Sequence, residues 1–203
     1  MKYSRTDIDA LPSRERAHLI NTISGFKSAN LIGTQSVNGT TNVAVFSSVM
    51  HFGASPPVIG FVLRPTTVER NTYNNILETD YYTINSIHKS IIVDAHHTSA
   101  KYPKEISEFS KTALKEQYHP SFPAPFVKDS PVQIGLKFLE EHVMAFNGTR
   151  LILGEVVYVH LDDKLFNADK TIDLTKGETA VITGLDGYSI PKTIQRFSYQ
   201  KPK

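Results

Sequence analysis

The run Leu31-Ile32-Gly33-Thr34-Gln35-Ser36-Val37-Asn38-Gly39-Thr40-Thr41-Asn42-Val43-Ala44-Val45-Phe46-Ser47-Ser48-Val49 decides how the rest of the chain is read. Asn38-Gly39 stands between two strand-like stretches. That dipeptide is the strongest short hairpin signal, because a tight two-residue turn needs positive φ at both central positions. In the second stretch Val43 and Val45 project to one face, and Ala44 and Phe46 to the other. The alternation stops at Ser47-Ser48-Val49, and Met50 to Ser55 reads as a loop. Amides at that strand end lose their ladder partners and need water or a ligand, since an unpaired buried donor costs roughly 1–3 kcal/mol.

Further strands follow on both sides of a helical middle. Pro56-Pro57 introduces Val58-Ile59-Gly60-Phe61-Val62-Leu63, and a short strand spans Tyr81 to Asn85. Val132, Ile134, Leu136 and Phe138 alternate with polar or small residues, the period of a half-buried strand. Leu151 to Leu161 is the longest β-like run, broken by Gly154 as a bulge or a close contact would break it. Helices are expected from Ser13, a candidate cap, to Gly25, from about Glu69 to Glu78, and from Ser90 to Ala100. Between Pro103 and Pro131 lie helical fragments and Pro-rich loop. No repeat or linker divides the chain, so residues 1–203 read as one domain with an N-terminal helical extension over about 1–28. Strands dominate. The expectation is a mainly β fold with inserted helices, its antiparallel sheet curled and closed into a barrel.

Composition removes several function classes. The chain has 22 basic and 20 acidic residues among 203, scattered, with no basic run to follow a nucleic-acid backbone. It contains no Cys, which excludes thiolate nucleophiles, iron–sulfur clusters and Cys-based zinc sites. The polar start, Met1 to Ala10, is no signal peptide, and no apolar run approaches the roughly 20 residues that span a bilayer. The expected location is the cytoplasm. No Gly-x-Ser-x-Gly elbow and no Rossmann or P-loop glycine loop is present.

Residues suited to an anion cluster in two places. Arg64 ends the strand Val58 to Leu63, and Arg70-Asn71-Thr72 stands at a helix start, where free amides and the helix dipole favour phosphate. A solvated arginine and a plain helix cap account for the same residues without any ligand. His51 and His96-His97 do not make a metal site, because adjacent helical residues point about 100° apart. Glu140-Glu141-His142 reads as a strand edge. No metal ligand, general acid, general base or nucleophile is assigned.

Taken together, these segments resemble the flavin reductase-like family. Asn42-Val43-Ala44-Val45-Phe46-Ser47-Ser48-Val49 followed by Pro56-Pro57-Val58-Ile59-Gly60-Phe61 resembles the family's strand pair. Glu69-Arg70-Asn71-Thr72-Tyr73-Asn74-Asn75-Ile76-Leu77-Glu78-Thr79 is similar to its Asp-Thr…Asn-Ile helix, and Tyr82-Thr83-Ile84-Asn85 to its next strand. Thr98-Ser99 with Tyr102-Pro103, then Ala124-Pro125-Phe126 to Val132, and Ile152 to Val156 complete the order over roughly residues 30 to 190.

The resemblance implies an FMN-binding split barrel, an antiparallel Greek-key-like barrel that forms a homodimer with flavin at the subunit interface. Ser47, Ser48 and Val49 would line the flavin ring and ribityl chain. Arg64, Arg70, Asn71 and Thr72 would hold the phosphate, with Asn75 on the same helix, and Thr98 and Ser99 would approach from the side. It implies an oxidoreductase in which NADH or NADPH reduces the flavin and a small molecule or partner protein accepts the electrons. An FMN electron carrier, or a pyridoxamine phosphate oxidase-like split barrel, stays open beside it. Two departures from the family pattern stand out. Many relatives carry an acidic residue and Cys where this chain has Gly135-Leu136, and an Arg before the Gly-Gly matched by Thr183 to Tyr188.

Overall fold

The computed structural model describes residues 1–202. Helices α1 (Arg5–Ala10) and α2 (Ser13–Ile23) come first, followed by strands β1 (Lys27–Ser28), β2 (Asn30–Gln35), β3 (Thr41–Phe46), β4 (Val49–Ala54) and β5 (Pro57–Leu63). Helix α3 (Asn71–Thr79), strand β6 (Tyr81–Ser86) and helix α4 (Ile92–His97) form the middle. The rest is β7 (Glu116–Gln117), β8 (Phe126–Val127), the long pair β9 (Val132–Val143) and β10 (Arg150–Leu161), then β11 (Val181–Thr183) and β12 (Gly187–Ser189).

The β2–β3 hairpin forms with Asn30 opposite Phe46 and Gln35 opposite Thr41. Its turn is not the two-residue type that the dipeptide predicts. Gly39 alone takes positive φ, at 84°, while Gly39 N–H donates to Ser36 O and Ser36 N–H to Thr40 O, both at 2.9 Å. This is a type I turn with a left-handed glycine after it, which needs only one residue without a Cβ.

Seven antiparallel strands run in the order β3-β2-β6-β9-β10-β5-β4. The two edge strands, β3 and β4, are consecutive in the chain and joined by Ser47-Ser48, so the sheet curls until its edges meet at that corner. Met50 to Ser55, expected as loop, is mostly strand: β4 pairs with β5 from Val49↔Phe61 to Ala54↔Pro57. The exposed side chains of Met50, His51 and Phe52 gave no inward alternation, and only pairing with β5 makes this segment a strand.

The faces of β3 divide as the alternation requires. Phe46 packs inward with Ile32, Phe61, Tyr82, Leu136 and Ile152. Val43 and Val45 pack outward with Ala95, Phe109 and Ile182. Gly154 marks both a register shift in β10 and a close contact, since a Cβ there would collide with the Tyr82 hydroxyl. That hydroxyl is fully buried and has no partner among the described residues, and burial pushes its pKa well above the usual phenol value.

The outer edge of β3 is closed by side chains rather than by a strand. The buried Glu108, on a single helical turn at Glu108–Lys111, accepts the Val43 N–H at 3.1 Å. Thr41 Oγ1 donates to Glu116 at 2.6 Å. These contacts cover a strand edge that would otherwise present unpaired backbone groups.

At the N-terminus, Ser13 is the first residue of α2 rather than its cap, and Pro12 precedes it. Sequence reading did not separate α1, whose Ser4 and Asp7 form a reciprocal capping box.

Candidate functional site

The corner between β3 and β4 is built by the end of the hairpin alternation. Ser48 Oγ donates to Val62 O at 2.8 Å, which ties the corner to β5 just short of Arg64. Among the described residues, the amides of Ser47 and Ser48 donate to no group of the chain. Both residues are half-buried. The corner therefore offers backbone donors, with the Ser48 hydroxyl already used internally.

Helix α3 begins at Asn71 with Arg70 as its N-cap residue and no side-chain cap. The first amides of a helix lack internal partners, so this start presents free N–H groups with partial positive charge. Arg70 Nε donates to Pro65 O at 3.4 Å, leaving its two terminal nitrogens available, and Arg64 is exposed at the end of β5. A third arginine, missed in the sequence, stands beside the end of β5. Arg150 lies opposite Leu63, donates to Glu141 at 2.6 Å and to Thr66 at 3.2 Å, and sits 5.0 Å from the Tyr73 ring centre. Its only signal was its place at the head of the β-run from Leu151. Burial, then the Glu141 carboxylate, pushes the Tyr73 phenol above its usual range.

Other residues singled out in the sequence are placed differently. Thr72 and Asn75 are buried beneath α3 and engaged: Asn42 Nδ2 donates to Thr72 Oγ1 at 3.0 Å, and Asn75 Nδ2 to Thr34 Oγ1 at 3.0 Å. These bonds fasten α3 to β2 and β3. Thr98 closes α4, its hydroxyl donating to Ala95 O at 2.7 Å, while Ser99 is exposed. Both stand over the outward face of β3, because α4 packs through Ala95 against Val43. Ser47, Ser48 and Val49 thus form the β3–β4 corner, Arg64 follows β5, and Arg70 and Asn71 begin α3. Thr72 and Asn75 lie under α3, and Thr98 and Ser99 lie on the outer side of β3.

The histidines are bonded locally. His96 Nδ1 is 3.2 Å from the Tyr188 hydroxyl and His97 Nε2 is 2.8 Å from that of Tyr102. Among the described residues no three His, Cys, Asp or Glu side chains come together as metal ligands. The positions that depart from the family pattern are structural in this chain. Leu136 fills the barrel core, and Gly135 leaves room for Phe122 and Tyr158. The Thr183 to Gly187 segment makes the β11–β12 turn.

The donor set suits one ligand chemistry. An anion fits the uncapped start of α3 with Arg70 and Arg64, and a flat ring with acceptor atoms along one edge fits the free amides of the corner.

Comparison with known proteins gives the same direction. Residues 24–175 match the model of the flavin reductase like domain. A crystal structure from Shewanella frigidimarina NCIMB 400, assigned there as a flavin reductase with split barrel domain, is 46% identical. It superposes with a TM-score of 0.94 over 98% of this chain and all of that one. The YwrF protein of Bacillus subtilis (strain 168) is 28% identical over 84% of this chain and 85% of its own. An FMN-binding protein from Thermus thermophilus is 15% identical with a TM-score of 0.71, over 86% of this chain and 91% of that chain, and shares the fold.

Proposed function

Because the chain belongs to the flavin reductase-like family, we propose that it binds FMN and works as a cytoplasmic, homodimeric oxidoreductase, moving electrons from NADH or NADPH through flavin to an acceptor. The observation that carries this reading is a pair of donor sets: amides at Ser47 and Ser48 that are unpartnered among the described residues, and the uncapped, arginine-flanked start of α3. The name of the Thermus protein, which shares the fold, supports FMN over other flavins.

In this proposal Arg70, Arg64 and the first amides of α3 hold the phosphate, with Asn71 at the helix start. The backbone at Ser47, Ser48 and Val49 donates to the ring edge, and Ser99 borders the site from the outer side of β3. Thr72 and Asn75 act from beneath by fixing the helix whose amides face the anion. When bound, FMN would supply the hydride and electron transfer chemistry. The chain orients the reactants and limits water, and needs no acid, base or nucleophile of its own.

Support for a dimer comes from the outer face of β4, β5 and β10. Met50 and Phe52 are each 45% exposed, and Phe52 closes with Leu153 over Gly60. Among the described residues no helix covers this face, and an apolar patch of that kind suits a two-fold contact.

The absorption spectrum of purified protein, with FMN titration of the apoprotein, tests the reading. Bound or bindable FMN with steady-state NAD(P)H oxidation is the expected result. FMN binding without that oxidation would leave an electron carrier, and retention of FAD, heme or pyridoxal phosphate alone would overturn the cofactor.

A further inference from the structure

Two unpartnered features of opposite charge remain, the second of them bordering Asn71 at the start of α3. The first follows β12. Residues 190–202 carry no regular secondary structure, and among the described residues their amides make no backbone hydrogen bond. Ile194 is 98% exposed, Phe197 77% and Tyr199 90%. Among the described residues, one side-chain contact ties this segment to its own body: Arg196 Nη1 to Asp169 Oδ2 at 3.4 Å, with both side chains more than half exposed. Exposed pairs of that kind hold little. From Ile190 onward the sequence has Lys192, Arg196, Lys201 and Lys203 and no acidic residue. Taking those four from the 22 basic residues leaves 18 against 20 acidic, so a segment of +4 is attached to a body of −2.

The second feature is a cleft of about 190 Å³ between the β2–β3 turn, α3 and the loop at Lys104-Glu105. Glu69, Glu78 and Glu105 line it, with Lys104 as the single cation. Asn42 and Asn75 also line it, though they are only 5% and 7% exposed. Each gives its NH₂ to a threonine hydroxyl inside, and among the described residues neither carboxamide oxygen accepts a hydrogen bond. Carboxamide oxygens that open into a cleft lined by carboxylates suit a donor that carries positive charge.

We propose that residues 190–203 form an arm that crosses to a second copy of this chain and seats a lysine or arginine in that copy's cleft beside α3. The inference rests on the dimer reading above. Charge complementarity selects the cleft, and the three exposed apolar side chains gain cover only against another surface. In its own chain the arm holds to a single exposed contact. Its thirteen described residues reach roughly 40 Å when extended, enough to cross a two-fold interface. The seated cation lies next to Asn71, so it offsets three carboxylates close to the place proposed for the phosphate.

The test compares full-length protein with a variant ending at Ser189 and with Glu105→Lys, both checked for folding by circular dichroism. Dimer dissociation is measured by analytical ultracentrifugation, and trypsin cleavage after Lys192 and Arg196 is followed across protein concentration. Either change should weaken the dimer by at least about tenfold. Cleavage of the full-length arm should slow as concentration rises through dimerisation, and about 0.5 M salt should remove that protection. An unchanged dimer constant in the truncated protein would overturn the arm while leaving the dimer standing. Monomers in every form would overturn the dimer reading and the arm with it. Protection independent of concentration would place the arm on its own chain, and capture of an unprotected arm by phosphatidylserine vesicles would place it on lipid; each result refutes the proposal.

Discussion

Two parts of the candidate site use their polar groups in opposite ways. Under α3, the side chains of Asn42, Thr34, Thr72 and Asn75 bond to one another and are buried. At the corner, the amides of Ser47 and Ser48 bond to nothing in the described chain. The difference separates residues that hold the frame from residues free to meet a ligand. A committed hydrogen bond is worth about 1 kcal/mol of stability and cannot also be offered outward, while an uncommitted donor contributes little until something binds.

The contrast is tested most strongly at Asn42. Asn42→Ala removes the donor to Thr72 and the longer one to Thr34, and urea unfolding should register a loss of roughly 2–3 kcal/mol. FMN affinity of the protein that remains folded should hardly change. A large loss of affinity without a loss of stability would reverse the roles assigned to the two regions.

Arg70→Ala should do the opposite. FMN binding should weaken by about 2 kcal/mol, the usual value of a charge-assisted hydrogen bond, with stability nearly unchanged. Riboflavin titration sharpens the result, because a ligand without phosphate should not sense this arginine. Equal losses for both ligands would place Arg70 away from the phosphate.

The corner is tested by a pair of variants. Ser48→Pro removes an amide donor and should shift the flavin spectrum or weaken FMN binding by about 1 kcal/mol. Ser48→Ala removes the bond to Val62 O and should cost about 1 kcal/mol of stability with the spectrum unchanged. A folded proline variant with unaltered flavin properties would show that this amide is not a contact.

The smallest effect is expected at the edge of β3. Burial pushes the Glu108 carboxyl above its ordinary value of 4.5, although backbone hydrogen bonds, including the one from Val43 N–H, pull it down. The folded chain then holds that proton more tightly than the unfolded chain. This group's contribution is therefore best in acid and declines as pH rises from its ordinary value through the higher folded one. Glu108→Gln should flatten that part of the pH–stability curve measured by urea unfolding. A wild-type curve with no such decline would show that the carboxylate costs nothing where it sits.

Local pattern was enough for the elements that carry their own signal. The Asn38-Gly39 hairpin, the inward and outward faces of β3, the alternating β9 and the break at Gly154 follow from turn chemistry and a period of two. So does the start of α3 near Arg70. Other features came only with the tertiary structure. β4 is a strand because β5 supplies its hydrogen bonds, although its own side chains face solvent. The Asn38-Gly39 turn takes the type that the register of β2 and β3 allows. Thr72 and Asn75 are inside because Asn42 and Thr34, 30 and 41 positions away in the chain, meet them there. Glu108 replaces a neighbouring strand at an edge that no local window contains. Side-chain periodicity reports which face is buried, but the partner of each donor depends on contacts distant in sequence, and those exist only once the sheet has curled.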